Sequence, residues 1–239
     1  FVMRMENLEF TEALKSLAQQ AGVTLPERRR DRGEGDPLHL INEAAKDHFS
    51  KQLESKAGAG ARDYLKGRGI TPETIQRFQL GLGPGDGHSL GELLTSKGYT
   101  REQVALAGVV TGSNADGYRD LFRGRLTIPV RDARGRLAGF GGRSLDNSQP
   151  KYLNTPRTPV FDKGNILYAL PLATEAILEK GQIIIVEGYM DAMIAHQYGF
   201  SNVVASMGTA LTQGQVTQVK ALLRRSGSST PKEVILALD

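Results

Sequence analysis

Two carboxylates stand directly after apolar runs of the sequence, a position in which acidic side chains of parallel sheets often do chemistry. Glu187 follows residues 183–186, and Asp239 follows residues 234–238. Asp191 lies one helical turn beyond Glu187, so it could face the same end of a sheet. Carboxylate oxygens suit Mg²⁺ or Mn²⁺, which can neutralise a triphosphate and activate an attacking oxygen. Spacing alone does not separate this metal site from the alternative, an acid that only caps the next helix.

Basic side chains are concentrated in one part of the chain. The 239 residues carry 30 basic and 26 acidic side chains, a formal net charge of +4. Residues 119–163 hold ten basic and four acidic side chains, a surplus of six, so the rest of the chain is slightly acidic. Arginines that alternate along a hairpin place several guanidinium groups on one face, which can hold the phosphates of a nucleic acid or a nucleotide.

The elements that would position these groups follow from hydrophobic patterning. A helix is predicted between Thr11 and Gly22, and residues 26–37, which have almost nothing to bury, are predicted to be a linker. The pattern is then helical to about residue 107, and the glycine-rich residues 81–87 are predicted to be a connecting turn. Residues 126–130 and 137–140 are predicted to be strands joined by a turn.

From about residue 181 the pattern is that of a parallel α/β unit. Strands are predicted over residues 183–186, 203–205 and 234–238, with one helix over 189–198 and another that begins after Thr212. Strand, helix, strand, helix, strand at this spacing favours parallel pairing. The fold class is therefore predicted to be α+β, with a mixed helical and β N-terminal subdomain followed by a parallel βαβαβ subdomain.

Composition excludes several kinds of site and of protein. The sequence contains no cysteine, which excludes disulfides and a thiolate zinc site within these residues. Its four histidines have no partner at ligand spacing, so we expect them to be surface or packing residues. The longest apolar runs are too short for a membrane span.

The segment Glu187-Gly188-Tyr189-Met190-Asp191 resembles the signature of the Toprim fold. That resemblance implies that Glu187 and Asp191 are catalytic residues and metal ligands. It also implies the same roles for Asp239 as the first aspartate of an Asp-x-Asp motif whose second aspartate would follow. Residues 206–210 fall where the family has its second strand-to-helix turn. Toprim domains occur in topoisomerases, nucleases, recombination proteins and primases, so this resemblance does not choose among them.

Four upstream blocks, in order, are similar to those of bacterial DnaG-type DNA primases: residues 122–132, 139–143, 150–156, and 161–164 followed by Leu167-Tyr168. The resemblance implies an organisation in four parts. Residues 1–25 would be the C-terminal tail of a zinc-binding domain whose zinc ligands are absent here, and residues 26–37 a linker. Residues 38–180 would be the N-terminal subdomain of the catalytic core, with a basic groove. Residues 181–239 would be a Toprim domain cut after the first aspartate of its motif.

Within these blocks we expect a set of side chains to contact phosphates, template or nucleotide, although each could instead be solvated or packed. Lys151 and Tyr152 could supply a cation and a stacking ring. Glycines of residues 139–142 would let a strand or a polynucleotide approach closely, whereas Phe140 and Tyr168 are expected to pack in the core. The expected binding residues are Arg125, Arg131, Arg143, Lys151, Tyr152, Asn154 and Lys163.

The resemblance also implies an activity and its partners. The enzyme would be a nucleotidyltransferase that joins ribonucleoside triphosphates into short RNA primers on single-stranded DNA, with Mg²⁺ or Mn²⁺ at the Toprim site and an RNA–DNA hybrid as product. Zn²⁺ would belong only to an N-terminal domain, and a replicative helicase would bind a C-terminal domain, neither of them in this chain. A cytoplasmic location without membrane contact is expected.

Two rival functions stay open from the sequence. The first is a Toprim nuclease or topoisomerase, which would need a transesterifying tyrosine or an accessory domain that nothing here resembles. The second is a non-catalytic nucleic-acid-binding module. Since the second aspartate of the motif would follow Asp239, we expect residues 1–239 alone to bind single-stranded DNA in a salt-dependent manner and to make no primer.

Overall fold

The computed structural model describes residues 36–113, 117–146, 148–208, 210–227 and 231–238. The described residues all belong to one compact unit, Asp36–Asp239. The predicted helix between Thr11 and Gly22, the predicted zinc-domain tail and most of the predicted linker therefore lie outside the described residues. The predicted linker also included Pro37, which is the first residue of a helix capped by the Asp36 carboxylate.

Five helices form the first part of the described chain, in the region where the sequence predicted helices. Two of them begin with the predicted caps: the Thr71 hydroxyl accepts from the Thr74 N–H, and Thr100 forms a reciprocal capping box with Gln103. Each cap satisfies amide groups that the first helical turn leaves without partners. The helices are α1 (Pro37–Glu54), α2 (Ala59–Gly67), α3 (Pro72–Arg77), α4 (Ser89–Ser96) and α5 (Arg101–Leu106).

Antiparallel strands follow, and most of them form one four-stranded sheet. A hairpin of β2 (Val110–Ser113) and β3 (Gly117–Asp120) forms a separate two-stranded sheet. The larger sheet consists of β1 (Gly81–Leu82), β4 (Leu126–Arg131), β5 (Leu137–Arg143) and β6 (Tyr152–Asn154). Its strand order is β1-β4-β5-β6.

The strand β1 corrects the prediction of a plain turn over residues 81–87. Gly81 pairs with Thr127 of β4. A Cβ at Gly81 would lie 2.5 Å from the Cβ of Phe49, so only glycine lets this strand lie between α1 and β4.

A three-stranded parallel sheet forms the last part of the described chain, as predicted. Its strands are β7 (Gln182–Val186), β8 (Val203–Ala205) and β9 (Glu233–Leu236), in the order β8-β7-β9. Helices α7 (Tyr189–Gln197) and α8 (Gln213–Arg225) connect the strands, while α6 (Leu170–Lys180) precedes them and has no counterpart in the prediction. The observed elements confirm the predicted α+β class with a parallel α/β unit.

One hydrophobic cluster joins the four-stranded sheet to the parallel sheet. It contains Leu126 and Ile128 of β4 together with Val186 and Tyr189 at the end of the parallel sheet. The backbone of Tyr168 bridges to Ala205 of β8, with N···O distances of 2.9 and 3.1 Å. Because the cluster is continuous, the end of β7 is held at a fixed place beside the antiparallel sheet. Among the described residues, no helix is long and apolar enough to cross a membrane.

Candidate active site

The predicted acidic site lies at the carboxyl end of β7. Glu187 is exposed and follows the last residue of β7 directly. The Asp191 carboxylate, in the first turn of α7, accepts a hydrogen bond from the Gly188 N–H at 3.1 Å, which holds it toward the same end. Asp239 lies outside the described residues. Within the described part of the chain, no group of three or more acidic or histidine side chains is close enough to hold a metal ion.

A tight turn after β8 supports the backbone of Glu187. Met207 and Gly208 both have a positive φ, of 65° and 77°. This left-handed conformation points the Gly208 N–H at the Glu187 carbonyl oxygen, 2.9 Å away. The Ser206 N–H donates to the Val186 carbonyl at 3.0 Å. The turn predicted as the second strand-to-helix connection of the Toprim fold therefore lies against Glu187.

Tyr189 links the acidic end of β7 to the antiparallel sheet. Its hydroxyl donates to Asn154 Oδ1 of β6 at 2.6 Å. Its ring contacts Tyr168 edge to face, with centroids 4.8 Å apart, and lies over Gly141 of β5. Burial raises the pKa of the Tyr189 phenol well above its usual value, so the hydroxyl stays protonated and remains a donor. Asn154, predicted to bind nucleotide or nucleic acid, is thus joined by a hydrogen bond to the helix that carries Asp191.

Arg143 is a buried cation that contacts two tyrosine rings. It is 7% exposed, and its guanidinium carbon lies 5.1 Å from the ring centroid of Tyr64 and 5.0 Å from that of Tyr152. It donates to the Tyr152 hydroxyl, while its buried Nε has no hydrogen-bond partner. Among the residues that the structure describes, no carboxylate lies within ion-pair distance of Arg143. Its charge is therefore not neutralised by an acidic side chain within the described part of the chain.

Further predicted binding residues gather around Arg143. Arg125, 9% exposed, donates from Nη1 to the Pro150 carbonyl at 2.8 Å. Lys151 is exposed, and Tyr152 keeps 36% of its surface exposed. The Tyr152 ring lies 6.2 Å from that of Tyr189, which is two residues from Glu187. We call this set the basic surface; it consists of Arg125, Arg143, Lys151, Tyr152 and Asn154.

Arg131 is placed apart from the basic surface, at the other end of β4 from Arg125. Its Nη1 donates to Glu43 at 2.7 Å and to the Gly135 carbonyl at 2.9 Å, and its Nη2 donates to Gln79 at 2.7 Å. Burial alone would raise the pKa of Glu43, but hydrogen bonds from Arg131 and Lys46 outweigh it and lower that pKa. The structure thus uses Arg131 to join α1, the end of α3 and β4. Its predicted contact with a phosphate stays a prediction.

Lys163 is also outside the basic surface as defined. It begins a short 3-10 turn, Lys163–Asn165, whose first carbonyl accepts from Gln215 of α8 at 3.2 Å. Burial lowers the pKa of its ammonium group. Among the described residues, no acidic side chain forms an ion pair with it. A lysine in this setting suits a phosphate, but its predicted role rests on the sequence.

The glycine run of residues 139–142 corrects one expectation. It was predicted to let a strand or polynucleotide approach, whereas the protein's own side chains occupy the space. A Cβ at Gly139 would lie 2.8 Å from Phe161, one at Gly141 2.6 Å from Tyr189, and one at Gly142 2.5 Å from Phe122. Phe140 and Tyr168 are buried, at 0% and 2% exposure, as predicted.

Three residues near the site were missed by sequence reasoning. Tyr64 contacts Arg143, and the exposed Arg68 lies with its guanidinium carbon 5.6 Å from the Tyr64 ring. Both are on or just after α2, far from the basic segment in sequence, so charge counting could not find them. Tyr189 lies inside the Glu187–Asp191 motif, but nothing in its spacing indicates a bond to Asn154.

Two family models match the chain. One describes the N-terminal domain of the DNA primase catalytic core and matches residues 48–174. The other describes a Toprim domain and matches residues 181–239. Together they cover all three sheets of the structure.

Individual proteins give the same result. A DNA primase of Deinococcus radiodurans is 42% identical over all of this chain, which covers 40% of that protein. The RNA polymerase domain of the Mycobacterium tuberculosis primase DnaG superimposes with a TM-score of 0.80 at 32% identity, over 87% of this chain and 67% of that one. A DnaG primase catalytic domain bound to single-stranded DNA superimposes with a TM-score of 0.71 at 34% identity, over 84% and 60%. The chain spans about two fifths of the length of the curated relatives it matches.

Proposed function

The chain belongs to the DnaG family of bacterial DNA primases, and from that premise we propose that it carries the template-binding and metal-binding parts of a primer-synthesising site. In the protein that carries this sequence, that site would join ribonucleoside triphosphates into a short RNA primer on single-stranded DNA and release pyrophosphate. The domain division at about residue 180 and the helicase partner are part of the same proposal and rest on family membership.

One observation carries the proposal: a single tyrosine connects the acidic end of β7 to the basic surface. Tyr189 stands two residues after Glu187, hydrogen-bonds Asn154 and contacts the ring of Tyr152. Carboxylates that bind a cation and side chains that bind phosphates are therefore on adjoining elements. Phosphoryl transfer needs both, because it depends on positioning and on neutralising charge.

Residues at the end of β7 fit a divalent cation in their chemistry. Glu187 is exposed, the Asp191 carboxylate accepts a hydrogen bond from the N–H of the neighbouring Gly188, and both carboxylates offer hard oxygen ligands. Asp239 is proposed as a third ligand. When bound, Mg²⁺ or Mn²⁺ would neutralise the triphosphate and promote attack by the primer hydroxyl.

The protein's own residues would do the rest of the work. Arg143 and Arg125, cations without acidic partners among the described residues, would hold template or triphosphate phosphates. Lys151 would add a mobile charge, and the exposed part of the Tyr152 ring would stack on a base. Asn154 would be kept in place by Tyr189.

Ribonucleotide incorporation on single-stranded DNA tests the proposal in the protein that carries this sequence. With Mg²⁺ present, we expect Glu187→Gln to abolish incorporation while single-stranded DNA binding persists. Glu179→Gln is the matched control, since Glu179 is an exposed glutamate near the end of α6. Shortening of the template in place of primer synthesis would support the nuclease alternative and overturn the proposal.

A further inference from the structure

The guanidinium group of Arg143 is buried against two aromatic rings, unlike that of a solvated surface arginine. Its side chain is 7% exposed, its Nε is buried without a partner, and its described neighbours include no carboxylate. Burying a cation without a counter-ion costs free energy unless other groups compensate for lost water. The neighbours that compensate are aromatic, Tyr64 and Tyr152.

The two tyrosines differ in how they contact the guanidinium group. Tyr152 is on β6, accepts a hydrogen bond from Arg143 and is 36% exposed, so it is itself open to a ligand. Tyr64 is on α2, and its hydroxyl is buried with no hydrogen-bond partner. What Tyr64 offers Arg143 is therefore its ring and not its hydroxyl. The guanidinium carbon lies 5.1 Å from the centroid of that ring.

An aromatic ring at this distance stabilises a planar cation through its electrostatic quadrupole. A guanidinium group that contacts two rings also loses less entropy when it binds a phosphate, because its orientation is already set. Because the Tyr64 hydroxyl is buried, only the ring can act on neighbouring cations, and these are Arg143 and the exposed Arg68. An effect that disappears when Arg143 is replaced is therefore assigned to Arg143, and one that persists is assigned to Arg68.

We propose that Tyr64 is a positioning residue for nucleic-acid binding, which acts by fixing the Arg143 guanidinium between its own ring and that of Tyr152. The proposal rests on the proposed function, because it assumes that Arg143 binds phosphates of single-stranded DNA. It assigns part of the binding site to α2, a helix outside the basic segment of the sequence.

Single-stranded DNA binding by the full chain, followed by fluorescence anisotropy of a labelled oligonucleotide, tests the proposal. Tyr64→Leu removes the ring, and we expect the Kd to rise about three- to tenfold. Tyr64→Phe keeps the ring, and we expect binding within about twofold of the original. Should the leucine variant fail to fold, Tyr64→Met removes the ring with an unbranched side chain of similar length.

A double-mutant cycle with Arg143→Gln separates positioning from a general structural role. In the Arg143→Gln background, Tyr64→Leu should leave the Kd unchanged, because the group it positions is gone. Tyr99→Leu is the matched control: Tyr99 is another partly buried tyrosine, which packs against a different hydrophobic cluster from the one that Tyr64 contacts. It should change thermal stability without changing the Kd.

An NMR measurement of hydrogen exchange tests the positioning of Arg143 by Tyr64 in the absence of DNA. The buried Arg143 Nε–H, identified by its loss in Arg143→Gln, should exchange with solvent faster in Tyr64→Leu than in Tyr64→Phe. An equal exchange rate in both variants would overturn the positioning role.

The outcomes distinguish a failure of the proposed function of the basic surface from a failure of the positioning role of Tyr64. If the original chain binds no single-stranded DNA, or if Arg143→Gln binds as tightly as the original, the proposed function of the basic surface fails. If Arg143→Gln weakens binding but Tyr64→Leu does not, only the role of Tyr64 fails. If Tyr64→Leu reduced the affinity for single-stranded DNA equally with and without Arg143, the positioning role of Tyr64 would also be contradicted.

Discussion

Substitution of Gly141 by alanine tests whether Tyr189 sets the position of the acidic site against the antiparallel sheet. The added Cβ would lie 2.6 Å from Cζ and 2.7 Å from Cε2 and Oη of the Tyr189 ring. Real Cβ contacts are longer, so the ring must move. Tyr189 is 3% exposed and contacts Tyr168 at 4.8 Å, which leaves it little room.

The free energy of unfolding that Gly141→Ala loses has two contributions. Overpacking of a filled core costs about 1–3 kcal/mol. Displacing the ring also breaks the 2.6 Å hydrogen bond to Asn154, a loss of about 1 kcal/mol. The free energy of unfolding should fall by about 2–4 kcal/mol, which lowers the melting temperature by roughly 4–16 °C in a domain of this size.

Thermal and urea unfolding measure the effect, and primer synthesis in the protein that carries the sequence reports its consequence. Tyr189→Leu in the Gly141→Ala background removes the colliding ring atoms. The double variant should therefore lose less free energy of unfolding than the sum of the losses of the two single variants. Gly60→Ala is the matched control, because a Cβ there meets nothing within 4 Å and Gly60 lies in α2. Unchanged stability of Gly141→Ala would refute the packing argument.

Three further predictions concern single contacts. Tyr189→Phe should lower the free energy of unfolding by about 1 kcal/mol, because it leaves Asn154 Oδ1 without its donor; an unchanged value in urea unfolding would contradict this. Glu43→Gln should cost at most about 1 kcal/mol at pH 7, since the ion pair with Arg131 is partly exposed. Because the pKa of Glu43 is lowered in the folded state, that cost should vanish as the pH falls through the folded pKa, and a cost that grows in acid would refute the assignment. Burial, together with the nearby Arg77 charge, lowers the pKa of His196 below its usual 6.5 even though its Nε2–H donates to the Val203 carbonyl. Stability from His196 should therefore be full above about pH 6.5 and fall as the pH falls, and His196→Asn should reduce this slope in unfolding measured between pH 7.5 and 5.

Much of the fold could be predicted because local signals were strong. The caps at Thr71 and Thr100 and the apolar run ending at Val186 each mark an element that the structure contains. The helix α6 was missed because it begins without a capping side chain: Ala169 has a φ of 63° and caps nothing. The short strand β1 was missed because its pairing depends on a close approach of Phe49, which is distant in sequence.

The site could be predicted in part for a related reason. The residue types of Glu187, Asp191 and Arg143 indicate their chemistry. Glu187 and Arg143 lie at strand ends, and Asp191 lies in the first turn of the helix that follows Glu187. Contacts between elements leave no such signal, since nothing local joins Tyr64 to Arg143 or Tyr189 to Asn154. The contacts of Arg131 with Glu43 and Gln79 are likewise between elements and left no signal in the sequence, and its predicted phosphate contact stays a prediction.

The central claim is that the carboxylates at the end of β7 and the basic surface form one site. Cleavage directed from the metal site measures this: Fe²⁺ replaces Mg²⁺, and ascorbate with hydrogen peroxide generates hydroxyl radicals at the bound ion. With single-stranded DNA bound, we expect cuts both in the DNA and in the chain near residues 187–191. Glu187→Gln should remove both cuts, and Arg143→Gln should remove only the DNA cut. Cutting of the chain near Glu187 while bound DNA stays intact would contradict the account.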